Sequence, residues 1–329
     1  MDRLQLRQAD KIEIVVLVDN YSDELLEDSK TIKRLRVPSP NAPMAEPGLS
    51  LLVKVYAGTE EHTVLMDTGI SGKCLKHNTE LLGTSKAVLH GVVTADVNAV
   101  ESVVISHGHS DHFGGLMTFL LSAGKKVPVI LHPSAFVERR LKHGNDYSDM
   151  VSLDESILEQ AGALLDKRSD PSTIASDLIL VSGQIERITD FEKGTPSLEA
   201  KIEGNWMPDP FYDDQALAIH IKNHGLVVLA GCSHAGAINT VRHVCKIAGT
   251  NKIHAIMGGF HLPGPDKSIA EFTIAEMKKI APDFIIPMHC TGWNAINRFS
   301  VEMPDQFILN SVGTTYLFPF DKESTNKSQ

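Results

Sequence analysis

His107, His109, Asp111 and His112 put four metal-ligating side chains within six residues, in the pattern His-x-His-x-Asp-His. Imidazole and carboxylate are borderline-to-hard donors that suit zinc first and are also compatible with manganese or iron. The apolar run Val103-Val104-Ile105 precedes the pattern and a helix-like stretch over 113–123 follows it. The donors therefore occupy a loop, where they can point into one cavity. In a two-metal site His107 and His109 serve one ion and Asp111 and His112 the other, with distant residues completing both spheres around a metal-bound hydroxide. His109 and Asp111 are the candidate catalytic residues, Asp111 also as a proton shuttle.

The chain has fifteen histidines, and several follow apolar runs late in the sequence, in Gly231-Cys232-Ser233-His234, Gly258-Gly259-Phe260-His261 and Pro287-Met288-His289-Cys290. In α/β proteins functional groups gather at the carboxyl ends of strands, because the loops there face a common crevice. His234 and His289 are the expected completing ligands. His261 is a ligand or a substrate contact. Cys232 is a candidate thiolate ligand, with a small buried cysteine as the commoner alternative. Asp214, beside Asp213, is a candidate metal or substrate carboxylate, against ordinary turn chemistry. Asp67 is expected behind the ligands, receiving an imidazole or loop N–H.

Candidate substrate contacts are Ser233, as cap of a helix over 237–248 whose amides would hold phosphate, Trp293, stacking on a flat ring, and His132, lining the site. Arg139, Arg140 and Lys142 read first as a solvated cluster, and His220, His224, His243 and His254 as surface residues.

The elements that must position these groups are strands over 11–19, 50–56, 62–67, 103–105 and 127–131, a Pro-rich connector over 37–48, and a hairpin over 216–230 turning at Asn223-His224-Gly225. Residues 138–204 are more charged and read as a partly helical insertion, with Ile157, Leu158, Ala161, Leu164 and Leu165 on one helix face. A packing excursion is its first reading, and a lid or a dimer element its functional alternatives. The chain 1–329 is read as one domain ending in a short disordered tail at about 321–329.

Composition narrows the partners. Of 329 residues, 42% are hydrophobic and 6% aromatic, which suits a globular core and excludes a coiled coil or a disordered chain. Thirty-one Lys and Arg against 41 Asp and Glu give a net charge of −10, which offers no general attraction to nucleic acid or anionic membranes. The expected partner is a small molecule, phosphorylated in one reading. Four cysteines at irregular spacing suit a reducing compartment, and the apolar runs are strand-sized rather than signal- or membrane-sized. A cytoplasmic location is expected.

With these residues in hand, the sequence resembles the metallo-β-lactamase superfamily, through Leu65-Met66-Asp67-Thr68-Gly69, the His107–His112 motif with Phe113-Gly114-Gly115, and the late histidines. The resemblance spans about residues 11–318. The late motifs resemble the branch related to the dihydropterin-ribofuranosyl-aminobenzene-phosphate synthase of methanopterin biosynthesis. The resemblance implies an α/β (α+β) fold, a four-layer αββα sandwich with two divalent metal ions between the sheets. It departs from the superfamily pattern where Asp213-Asp214-Gln215 and Cys232-Ser233-His234 stand in place of the usual third and fourth metal motifs. His109, in place of the glutamate of flavodiiron relatives, argues against oxygen-reducing chemistry.

Hydrolysis of a small phosphorylated or ester substrate is the simplest reaction for such a centre and is the leading expectation. The alternative is a pterin-type synthase or transferase that joins a dihydropterin diphosphate-like substrate to an arylamine ribose phosphate. A ligand-binding or regulatory protein with little turnover is the third.

Overall fold

The strand Lys11–Val18 is buried at every position after Lys11. Its side chains alternate between two environments, as the strand period requires. Ile12, Ile14 and Val16 pack in a core shared with Leu217, Ile219, Val227 and Leu229, whereas Val15 and Leu17 face a second core with Leu75, Leu116 and Leu120. A strand covered on both faces reads as a continuous apolar run, and this one does.

That alternation generates the layers in the computed structural model, which describes residues 4–36, 41–83, 96–262 and 267–319. One sheet runs in the order Ala163–Lys167, Val127–Leu131, Ser102–Val104, Glu60–Met66, Ser50–Ala57, Lys11–Val18, Thr315–Phe318, Ile32–Lys33. The other runs Ser172–Ile174, Ile179–Val181, Ala216–Ile221, Gly225–Ala230, Ile253–Gly259, Phe284–Met288, with Gln8–Ala9 also paired to Ala216–Ile221. Helices Gly72–Leu82 and Leu116–Ala123 cover the outer face of the first sheet. Helices Ala237–Ala248, Lys267–Ile280 and Trp293–Glu302 cover that of the second, where Ile238, Val241, Ile274, Met277 and Phe299 meet Val228, Ile256 and Ile285. The expected αββα sandwich is the observed one.

Each sheet contains a parallel block: Glu60–Met66, Ser102–Val104 and Val127–Leu131 in one, Gly225–Ala230, Ile253–Gly259 and Phe284–Met288 in the other. Asp67, the His107–His112 loop, Cys232 to His234, His261 and His289 all follow carboxyl ends of these strands. The hairpin forms as expected, with Ile221 opposite Gly225 and Asn223 at φ 65°.

Residues 138–204 differ from expectation. The helix there is only Glu155–Gln160. Gly162 turns the chain at φ 103°, and Ala163–Lys167 joins the sheet edge parallel to Val127–Leu131. Leu164 and Leu165 are therefore strand residues, because pairing with an existing strand edge satisfies backbone groups that a longer helix would satisfy internally. Arg139–His143, Asp146–Asp149, Leu198–Ile202 and Asn205–Pro208 form a separate four-stranded antiparallel sheet. The expected disordered tail at 321–329 and residues 37–40 of the Pro-rich connector lie outside the described residues. Among the described residues no helix is long and apolar enough to cross a membrane.

Candidate metal centre

His107 and His109 lie between the strand Ser102–Val104 and the short helix Ser110–Phe113, and that helix carries Asp111 and His112; the three histidines are buried, while Asp111 keeps 29% of its side chain exposed. Asp67, fully buried after the strand Glu60–Met66 and held at φ 59°, organises this loop. Its Oδ2 accepts the His112 Nδ1–H at 2.6 Å and the Ser106 hydroxyl at 2.7 Å, and its Oδ1 accepts the Ser106 N–H at 2.7 Å. Having donated to Asp67, the Ser106 hydroxyl accepts the His107 Nδ1–H at 3.0 Å. One carboxylate thus fixes the tautomer of two imidazoles, leaving both Nε2 lone pairs free for a cation.

The late residues complete two groups. His234 lies 4.8 Å from His107 and 4.7 Å from His109 between ring centroids, and those two rings are 4.6 Å apart. The Nε2 atoms of His107 and His109 and both ring nitrogens of His234 are buried without a hydrogen-bond partner. Burial pushes His109 down to about 3, with Arg139 adding to it. Burial and the neighbouring imidazoles hold His107 and His234 well below the usual histidine value. Three neutral imidazoles with orphaned nitrogens pack together here, and the ligand atoms of two of them, His107 and His234, lie with that of Cys232 within 4.8 Å of one another, a set that fits a divalent cation.

In the second group, His289 Nε2 lies 3.0 Å from Asp111 Oδ2 and 3.2 Å from His112 Nε2. His289 Nδ1 donates to Asn20 Oδ1 at 2.9 Å, so the two facing Nε2 atoms both present lone pairs. Such a contact requires a positive charge between them, a proton or a metal ion. Cys232 Sγ, 3.0 Å from His112 Nε2, reaches both groups: the ligand atoms of Asp111, His112, Cys232 and His289 lie within 4.8 Å of one another, and so do those of His107, Cys232 and His234.

Several positioning residues carry no local sequence signal. Asp19 Oδ1 accepts the His289 N–H at 2.8 Å and, with Asn20, presents His289 from the end of Lys11–Val18. Phe211 stacks on His234 at 4.2 Å with a 2° interplanar angle. Arg139, expected in a solvated cluster, is buried: Nε donates to Asp209 at 2.7 Å, Nη2 to Asp213 at 2.7 Å and Nη1 to the Gly108 carbonyl at 3.3 Å. Gly108 is required by this packing, since a Cβ there would stand 2.1 Å from the Ala135 carbonyl oxygen. Arg140 stacks over Tyr147 and Trp206, and of the three basic residues only Lys142 is exposed.

Other expectations change in three dimensions. Asp213 Oδ2 accepts the Gly108 N–H at 2.7 Å and Asp214 Oδ2 the Ala235 N–H at 2.6 Å. Both carboxylates therefore brace the backbone of ligand loops, and neither joins a group of ligand atoms. Burial pushes Asp214 up to about 7. Ser233, at φ 56°, donates to the Gly259 carbonyl at 2.8 Å and caps no helix. The Ala237–Ala248 helix is capped by Glu192, whose Oε1 accepts from Ile238 N–H at 2.8 Å and Oε2 from Asn239 N–H at 2.9 Å. A buried carboxylate already fills the place expected for phosphate. Trp293 is 63% exposed, and His132 accepts the Ser134 N–H in a local turn outside the ligand groups. His254 is buried against Phe284 and Phe318 rather than on the surface. His261, at φ 39°, packs 4.2 Å from His234 with Nδ1 unpartnered, and borders a cavity of about 220 Å³ with Phe191, Phe260 and Leu262.

Replacing Asp67 by asparagine would set an amide N–H against either the two donors that Oδ2 now receives or the one that Oδ1 receives. Metal affinity is expected to fall about 10- to 100-fold, read by competition with a chelator, with the far-UV spectrum unchanged. Undiminished affinity would mean that Asp67 does not orient the ligands.

The sequence model of the metallo-β-lactamase superfamily matches residues 45–196, which include the His107–His112 loop. A 7,8-dihydropterin-6-methyl-4-(β-D-ribofuranosyl)-aminobenzene-5′-phosphate synthase of Methanocaldococcus jannaschii is 27% identical over 314 residues, covering 92% of this chain and 96% of that protein. An uncharacterised protein of the same organism is 29% identical over 271 residues, covering 82% of this chain and 92% of its own. The crystal structure of Tm1679, a metal-dependent hydrolase of the β-lactamase superfamily, aligns with a TM-score of 0.68 at 24% identity, over 92% of this chain and 98% of that one. Two sheets with candidate metal ligands at their carboxyl edges, and similarity to a synthase over 92% of the chain, make this an enzyme of metallo-β-lactamase fold.

Proposed function

We propose that this enzyme holds two divalent cations, zinc in the first instance, and joins a dihydropterin diphosphate-type substrate to an arylamine ribose phosphate. The observation that carries this reading is the similarity to the M. jannaschii synthase along nearly the whole of both chains. It reverses the order expected from sequence, where hydrolysis came first.

His107, His109 and His234 would hold one ion and Asp111, His112 and His289 the other, with Cys232 reaching both. When bound, the ions supply Lewis acidity that neutralises charge on the departing diphosphate. The cavity beside His234 supports a flat ring: Phe191, Phe260 and Leu262 exclude water from its faces, and the unpartnered His261 Nδ1 can hydrogen-bond a ring heteroatom. A C–N bond forms as the C–O bond to diphosphate breaks, and the amine proton passes to solvent at the edge of the centre, where Asp111 keeps 29% of its side chain exposed.

The test gives the zinc-loaded protein 6-hydroxymethyl-7,8-dihydropterin diphosphate with and without the arylamine ribose phosphate. Diphosphate release that depends on the arylamine, together with the coupled mass, is the expected result. Equal release in its absence would replace the synthase by a hydrolase, and no release in either case would overturn both.

Cation uptake should also release protons. Burial disfavours charge on His112, but the carboxylates of Asp67 and Asp111 outweigh it and push the imidazole up to about 9 in the cation-free protein. The Cys232 thiol is held protonated by burial. A ligand must shed its proton, so about two protons per protein should be released near pH 7.5, and apparent affinity should rise with pH, less steeply above about 9 where His112 has already lost its proton and Cys232 has not. Cys232→Ser should release about one, measured with an indicator dye. An unchanged count would remove Cys232 from the ligand set.

A further inference from the structure

We propose that Cys232 and Cys290 are a redox-active pair that peroxide converts to a disulfide, and that this oxidation withdraws a sulfur from the cation cage. The inference rests on the cage of the preceding proposal and not on the substrate assigned there.

The two cysteines follow Gly225–Ala230 and Phe284–Met288, with Ile253–Gly259 lying between those strands. Strands two places apart are about 9.6 Å from each other, too far for two short side chains to meet over an ordinary residue. They meet here because the middle strand ends in glycine. A Cβ on Gly259 would stand 2.6 Å from Cys290 Sγ and 3.3 Å from Cys232 Cα, so the Cys290 sulfur takes the space of a side chain and comes up against the Cys232 backbone. Both sulfurs and a ring nitrogen of His261 lie within 4.8 Å of one another, and the Cys290 thiol donates to the Cys232 carbonyl at 3.6 Å. Closing to the ~2.05 Å of a disulfide takes at most about 2.8 Å of sulfur movement. Cys290 belongs to neither group assigned to a cation above; it stands in a third set of possible ligands, with Cys232 and His261, whose two sulfurs are the ones a disulfide would join.

The chemistry balances with peroxide as oxidant. The Cys290 sulfur attacks one peroxide oxygen, the O–O bond breaks and water leaves, giving a sulfenic acid. The Cys232 thiol then attacks that sulfur, the S–O bond breaks and a second water leaves with the remaining thiol proton. Two thiols are oxidised and one peroxide is reduced by two electrons. A sulfur in a disulfide cannot serve as a thiolate ligand, so disulfide and bound cation compete for Cys232.

The zinc-loaded full chain is treated with hydrogen peroxide, and zinc release to a chromogenic chelator is followed beside the non-reducing intact mass. The expected result is a loss of about 2 Da, a Cys232–Cys290 cross-linked peptide, release of about one zinc, and recovery with dithiothreitol and added zinc. Cys290→Ser should keep its zinc under the same treatment, whereas Cys245→Ser, altered in the helix Ala237–Ala248, should behave as the parent. Should Cys290→Ser fail to fold, alkylation of the denatured parent serves instead: after peroxide, residues 232 and 290 should resist labelling together while Cys74 and Cys245 label fully. Mass gains of about 16 or 32 Da without the cross-link, or a cross-link formed with all zinc retained, would overturn the proposal. None of these readouts depends on turnover, so they stand apart from the synthase assay.

Discussion

Replacement of His109 by alanine is expected to lower bound metal by about one ion per chain and turnover by about 10³-fold or more, on the order of 4 kcal/mol of transition-state stabilisation. Its imidazole is neutral down to about pH 3 because burial and the nearby Arg139 disfavour its charge, so its lone pair is available wherever the protein is folded and working. Its Nε2 has no hydrogen-bond partner, so the ring has no evident polar role besides holding a cation. The effect should exceed that of Asp67→Asn, which leaves every ligand present and disturbs only orientation. Elemental analysis of the purified variant, a turnover assay and near-UV circular dichroism together decide the point. A folded His109→Ala protein with parental metal content and activity would remove the imidazole cage as the reactive centre.

The largest effect on stability is expected at Arg139. Its guanidinium, 3% exposed, bridges the buried carboxylates of Asp209 and Asp213, while Asp213 also holds the Gly108 amide between the first two histidines of the loop. Arg139→Met would leave two buried carboxylates without a counter-charge, at a cost of about 3–5 kcal/mol in urea unfolding. Arg139→Lys should recover little, because one ammonium cannot span three acceptors that a planar fork reaches together. Adding Asp213→Asn to Arg139→Met should restore part of the loss by removing one stranded charge. A loss below about 1 kcal/mol for Arg139→Met would show that solvent reaches the pair and screens it. Metal retention should fall with stability in this variant, since the same contacts tether the backbone beside His107 and His109.

The ligand types were legible in the sequence wherever the chemistry is local. His107 to His112 lie within six residues, and the strand before them and the helix boundary after them follow from apolar runs and glycines next to the motif. The boundaries of the Ala237–Ala248 helix were legible for the same reason. Its cap was not: the carboxylate on its first amides is that of Glu192, 46 residues before Ile238, and nothing in the spacing of either segment announces the other. Leu164 and Leu165 misled because a short apolar pattern fits a helix face as well as a strand edge, and pairing with Val127–Leu131 decided between them.

By itself, the sequence determined which donors exist and that they follow strand ends, because residue type and hydrophobic period are written along one dimension. Only the tertiary structure decided which donors stand together: His234 with His107 and His109, His289 with Asp111 and His112, and Cys232 between them. It also decided that Arg139 is buried and that Asp67 orients two rings. The reason is physical. Burial, tautomer and hydrogen-bond direction are set here by contacts between segments from 31 to 270 residues apart, and a chain acquires them only when it folds.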